Sequence, residues 1–114
     1  MNAPAHPAEL DLAMLRQSAD RACRLLKALS NPDRLLLLCQ LTQGEKTVGE
    51  LECLVGIGQP TLSQQLGVLR EEGLVSTRRE GKHIHYQVAS AHALAVMGVL
   101  YSQFCAPSME ALSC

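Results

Sequence analysis

The chain has 114 residues, enough for one domain and little more. Apolar residues make up 47% of it and aromatics only 3%, so the core must be built of Leu, Val and Ala, which suits packed helices better than a β-sandwich. A formal net charge of -1 excludes a general polycation, although a local basic patch is enough to engage phosphates.

Residues 1–8, MNAPAHPA, hold two prolines and no periodicity, and read as a mobile tail. From Glu9 to Leu29 the apolar positions Leu12, Leu15, Ala19, Ala22, Leu26 and Leu29 recur at three and four, predicting a long amphipathic helix. The stretch SNPDR stops it. Asn31 is a good cap and Pro32 a good first-turn residue for a second helix reaching about Leu41. That helix contains RLLLLCQL, apolar nearly all round, and is expected to be the most buried element.

After TQGEK, Thr47 and Glu50 form a T-x-x-E capping box for a short third helix, about Val48 to Val55. GIGQP is a tight turn, and Pro60 opens a fourth helix that ends before Gly73. The period then changes: LVSTRRE, a turn at EGK, and HIHYQVA predict a two-stranded hairpin. A final helix is predicted from near Ser90 to about Cys105, before Pro107. The fold class is therefore mainly α, in the order α-α-α-α-β-β-α, with a domain over 9–106 and a C-terminal tail over 107–114.

No basic-then-apolar leader opens the chain and no apolar run is long enough for a bilayer, so no membrane partner and a cytoplasmic location are expected. Five cysteines in a reducing compartment do not suggest a disulfide framework, and each needs its own explanation. No C-x-x-C occurs and no His or Asp is locally paired with a cysteine, so an enzyme such as a thiol oxidoreductase is not expected.

The fourth helix is unusual in its polar residues. With Leu62 as origin, Leu66 and Leu69 return to the same face, while Thr61, Gln64, Gln65 and Val68 are assigned to the opposite side. Amides, hydroxyls and a methyl-bearing side chain are the vocabulary of major-groove readout. A short Gly-containing turn joins this helix to the one before, as in a helix-turn-helix. The hairpin that follows carries Arg78, Arg79, Lys82 and His83 where a wing meets the neighbouring backbone. Gln59, Thr61, Ser63, Gln64, Gln65, Arg78, Arg79, Lys82 and His83 are thus the candidate DNA-binding residues, and double-stranded DNA the expected partner.

LSNPDRLLLLCQL, TVGELE and QPTLSQQLGVLREEGLVSTRREGKHIHYQV together resemble the winged-helix repressors of the ArsR/SmtB family, over about residues 20–105. The resemblance implies a winged helix-turn-helix and a homodimer formed by the first and last helices. It also implies two recognition helices presented to successive major grooves of a palindromic operator. The arsenic-type Cys-x-Cys positions are Thr47 and Gly49 here. The zinc-type positions are Ser90, His92, Gln103 and Ala106, of which only His92 is a typical zinc ligand. No metal site and no cofactor are therefore expected.

Cys39 in LLLLCQL and Cys105 in YSQFCA instead resemble the sulfide-responsive BigR/SqrR/YgaV branch of that family and its HlyU-like members. This implies a redox-sensing pair with reactive sulfur species as inducer. A thiophilic metal or general oxidant acting on the same cysteines, with Cys114 as a further metal ligand, is the alternative. Cys23 reads as a packing residue, Cys53 as exposed opposite Leu51, and Cys114 as a terminal thiol able to compete in exchange with Cys105.

Overall fold

The computed structural model describes residues 11–105. The tails expected over 1–8 and 107–114, Cys114 among them, lie outside the described residues. The elements are α1 (Leu12–Leu29), α2 (Pro32–Leu41), β1 (Lys46–Thr47), α3 (Val48–Val55) and α4 (Thr61–Glu71). They continue with β2 (Val75–Glu80), β3 (His83–Val88) and α5 (Ala91–Leu100), which runs into a π-helical turn, Tyr101–Cys105.

Short polar side chains decide where four of the helices begin. Asp11, Asn31, Thr47 and Ser90 have extended backbones, and each side chain accepts a hydrogen bond from an otherwise unpaired amide of the first turn. At Thr47 the bond is reciprocal. Its Oγ1 accepts from the Glu50 amide at 3.2 Å, while the Glu50 carboxylate accepts from the Thr47 amide at 2.8 Å. The capping aspartate starts α1 at Leu12, slightly later than the apolar pattern suggested.

The core is leucine-rich, as the composition requires. Leu37 and Leu38 of α2, Leu51 of α3, and Leu62, Leu66 and Leu69 of α4 are buried, joined by Leu74, Val75, Ala93 and Met97. Leu62, Leu66 and Leu69 share the inward face of α4, as their spacing predicts. The core takes only Ala28 and Leu29 from α1. The predicted stripe on this helix is real, but within the chain Leu12 (63% exposed), Leu15 and Leu26 face outward. Cys23, expected to be packed, is exposed on the same helix.

The α5 sequence, AHALAVMGVL, is apolar on every side, and such a helix needs burial on more than one face. Ala93 and Met97 enter the core, while Leu94, Val99 and, in the π-helical turn, Phe104 (74%) remain outside it. No helix among the described residues is long and apolar enough to cross a membrane.

The sheet has three strands, not the two expected. Lys46 and Thr47 pair antiparallel with Tyr86 and His85, giving the order β1-β3-β2. Two residues are too few to show a period-two pattern, so the strand had no sequence signal of its own. In the hairpin, Glu80 opposes His83 across Gly81 and Lys82; Gly81 has φ 63°, the left-handed geometry such a tight turn needs.

Replacing Thr47 by Ala removes one half of the capping box and is expected to cost about 1 kcal/mol. A urea titration of the variant beside the parent checks this; an unchanged midpoint would mean that β1 pairing, not the cap, holds the start of α3.

Candidate nucleic-acid interface

The α2–α3–α4 packing presents α4 with one face buried and the other open. Gly56 closes α3 in the left-handed conformation at φ 70°, and a five-residue link from Gly56 to Pro60 leads into α4. Pro60 supplies no side-chain cap. Gln59 does this instead: its Oε1 accepts from the Ser63 amide at 3.1 Å and from the Ser63 hydroxyl at 2.6 Å. Two candidate residues, Gln59 and Ser63, are therefore engaged with each other at the start of the helix. Gln64 is exposed, while Thr61 and Val68 are half-buried at the flank.

Gln65 was assigned to the open face, and the structure corrects this. It lies three residues past Leu62, a rotation that leaves it only about 60° from the buried side. It is half-buried, and its Oε1 accepts from Arg34 Nη1 of α2 at 2.9 Å. Gly67 is exposed beside Gln64 on the outward face, and a Cβ built there would meet nothing within 4 Å. Ser63, Gln64, Gly67, Val68, Arg70 and Glu71 line a shallow open depression on this side of the helix. Nothing in the protein's own packing asks for a glycine in mid-helix at this point. The sequence signal for Gly67 was available in that propensity cost alone.

On the hairpin, Arg79, Lys82 and His83 are exposed, but Arg78 is not a free cation. Its guanidinium forks onto Glu45, with Nε–Oε2 at 2.9 Å and Nη2–Oε1 at 2.7 Å, and reaches Glu80 at 3.4 Å. The reason is the third strand. Thr47 opposes His85 and His85 opposes Arg78, so β1 brings Glu45 within reach of Arg78 across β3. His85 lies beneath, with Nδ1 3.7 Å from Glu45 and Nε2 3.4 Å from Glu80. The hydrogen bonds from Arg78 hold the Glu45 carboxyl below the usual carboxylate range, with its charge and that of His85 adding to the effect.

The two thiols singled out from sequence are both half-buried and free, one near the end of α2 and the other in the π-helical turn after α5. Burial pushes the Cys39 thiol up, and the negative charge of Cys105 adds to the effect. Thr42 donates its hydroxyl to the Cys39 carbonyl at 2.6 Å, holding the last turn of α2. Cys53 is exposed, as expected.

A helix with a polar open face, a preceding helix joined by a short turn, and a basic hairpin at its C-terminal side define a winged helix-turn-helix DNA-binding regulator. Residues 31–77 match the family described as "Bacterial regulatory protein, arsR family". The "Biofilm growth-associated repressor" of Xylella fastidiosa (strain 9a5c) is 53% identical over 97 residues, 85% of each chain. The crystal structure of "the transcriptional repressor BigR from Xylella fastidiosa" superposes with a TM-score of 0.77 at 52% identity, covering 85% of this chain and 99% of that one. "Reduced HlyU from Vibrio cholerae N16961" gives 0.79 at 37% identity, over 82% and 99%. The chain belongs to the ArsR family of transcriptional regulators, and these relatives are DNA-binding proteins rather than enzymes.

Two outcomes test this interface. Gly67→Ala is expected to stabilise the protein by about 1 kcal/mol and to weaken DNA binding, because the added methyl meets only what docks on α4. Unfolding midpoints and binding titrations on the same sample check it, and unweakened binding would exclude close approach at Gly67. Because its carboxyl is held low, Glu45 stabilises the wing above its ordinary value of 4.5 and loses that contribution as pH falls through the lowered one. Glu45→Gln should flatten the acid side of the stability profile. By freeing Arg78, it should also steepen the salt dependence of DNA binding by about one phosphate contact.

Proposed function

We propose that this regulator acts as a cytoplasmic homodimer that represses sulfide-detoxification genes from a palindromic operator, and releases it when reactive sulfur species join Cys39 to Cys105. The outward apolar residues of α1 (Leu12, Leu15, Leu26) and of the chain's last helical segment (Leu94, Val99, Phe104) support the dimer. Isolated exposed leucines are ordinary, but two helices with outward apolar faces call for a partner surface. Pairing two protomers would set two α4 helices on successive major grooves, with Gln64 and Thr61 at base edges and Arg79 and Lys82 on phosphates.

The observation that carries the sensing reading is a pair of free, half-buried thiols, Cys39 near the end of α2 and Cys105 in the turn after α5, with the Cys39 thiol pushed up first by burial and then by the charge of Cys105. On this reading Cys105 makes the first attack. Its thiolate takes the outer sulfur of a persulfide R–S–SH, giving Cys105–S–SH and expelling the thiolate R–S⁻. Cys39, on losing its proton, then attacks the Cys105 sulfur and releases hydrosulfide, leaving a bridge between α2 and the end of α5. Where a second persulfide first converts Cys39 to Cys39–S–SH, its outer sulfur makes that attack instead and hydrosulfide again leaves, so the bridge gains a sulfur and up to about 2 Å, and a gap too wide for a disulfide is still spanned. The relative whose structure is described as reduced HlyU is consistent with a family branch in which thiol state matters. The thiophilic-metal alternative draws on Cys114, and among the described residues no three His, Cys, Asp or Glu side chains gather as ligands.

Cys39→Ser and Cys105→Ser should each bind operator DNA as the parent does. Glutathione persulfide should weaken the parent's binding by about 5- to 150-fold, the usual span of allosteric coupling, and leave both variants within twofold. Release of either variant by the persulfide would refute the dithiol. Intact mass after persulfide treatment, compared with peroxide, separates the inducers. Gains in multiples of about 32 Da mark inserted sulfur, whereas a general oxidant leaves oxygen adducts or a simple loss of two hydrogens.

A further inference from the structure

Among the described residues, Arg34 is the one side chain whose hydrogen bonds join its own helix to two others. From the first turn of α2 its Nε donates to the Ala28 carbonyl at 2.7 Å and its Nη2 to the Lys27 carbonyl at 3.2 Å, closing the C-terminus of α1. Its Nη1 donates to Gln65 Oε1 of α4 at 2.9 Å. The guanidinium is planar and cannot lose its proton, so the three bonds fix one another's direction. Asn31, which caps α2 by accepting from the Arg34 amide, holds the backbone end of the same residue.

The consequence falls on Gln65. An amide pairs with adenine by offering oxygen and nitrogen side by side, accepting from the exocyclic amine and donating to the ring nitrogen. Here the oxygen is turned inward to a charged donor that has no acceptor capacity of its own, so the amide cannot flip without setting two donors against each other. What Gln65 still offers a ligand is Nε2–H, a donor. We propose that Arg34 is a specificity-determining positioning residue: by holding Gln65 Oε1, it makes Gln65 a donor-only reader suited to guanine, whose O6 and N7 are both acceptors where adenine offers N7 alone. Adenine recognition is left to the unclamped Gln64. This rests on the reading of α4 as the base-contacting helix. It also gives the Asn-Pro-x-Arg stretch, which the sequence explained only as a helix start, a part in sequence readout.

The test uses the full-length reduced protein and a randomised double-stranded DNA library. The enriched sequence is then bound with every base pair substituted in turn, for the parent and for Gln64→Ala, Gln65→Ala, Gln65→Glu and Arg34→Met. The parent should show a guanine preference that Gln65→Ala abolishes, at a position distinct from the one relaxed by Gln64→Ala. Gln65→Glu keeps an acceptor for Arg34 but deletes the donor, and should lose that preference with no loss of thermal stability. Arg34→Met should turn the preference at the Gln65 position towards adenine by about tenfold. Should Arg34→Met not fold, Arg34→Gln, whose amide can accept as well as donate and so no longer forbids the flip, should show the same turn.

If the Arg34 variants weaken all sequences equally without changing any preference, or if the Gln65 position already prefers adenine in the parent, the clamp is refuted. If Gln64→Ala alone alters the preferences, the clamp falls while α4 remains the reading helix. If neither glutamine variant alters them, the base-reading role of α4 falls with it.

Discussion

Most of this fold is placed by how it meets α2. Leu37 and Leu38 are fully enclosed, and α1, α3, α4 and β3 all lie against this one helix. The chain has no tryptophan, its one phenylalanine lies outside the core, and of its two tyrosines Tyr86 only packs against the core's edge. Enclosure is instead reached by many leucines interdigitating, each worth about 1.5–3 kcal/mol when fully buried. Such a core leaves the orientation of each helix to the shape of a few side chains, and small angular errors to be removed by other means.

Those other means are polar, and they lie at the edges of the core. Arg34 fixes α4 against α1 and α2, Gln59 fixes the start of α4, and Glu45 fixes the wing through Arg78. Each uses a side chain that would otherwise be available to DNA. The interface is therefore sparser than its composition suggests. A charged or amide side chain held by the protein is already oriented when a ligand arrives, so less ordering entropy is lost on binding. The cost is reach, since a guanidinium forked onto a carboxylate must give up that pair before it neutralises a phosphate.

The sequence was legible where periodicity and capping chemistry agree. Thr47 with Glu50, Asn31 with Pro32, and the four-and-three spacing of Leu62, Leu66 and Leu69 located α3, α2 and the buried side of α4. What it hid were properties set by distant partners. The stripe on α1 announced an amphipathic helix, but a helical wheel cannot say whether the apolar face meets the same chain or another. That also explains Cys23, read as packed and found exposed. β1 is two residues long and exists because β3 has a free edge, which no local window contains. Gln65 looked like Gln64 in sequence, and what separates them is a guanidinium thirty-one residues away. Arg78 and Arg79 differ for the same reason, since only the first lies in register with the strand that brings Glu45 near.

The arrangement of α2 also bears on how a thiol event would be felt at the DNA. Cys39 sits in the last turn of this helix and Arg34 in the first, in an element of ten residues and roughly 15 Å. A hydrogen-bonded helix of that length, with both central leucines enclosed, moves as a rod rather than bending. On the proposed reading, a bridge from Cys39 to Cys105 draws the C-terminal end of α2 towards the end of α5. The pivot is the buried leucine pair, so the opposite end, which holds Gln65 and the α1 carbonyls, has to shift as well. One motion would then disturb both the angle of α4 in its groove and the seat of the dimerising helix. A modest displacement at a sulfur thereby becomes a difference in operator affinity between two states, as a ligand-driven population shift requires.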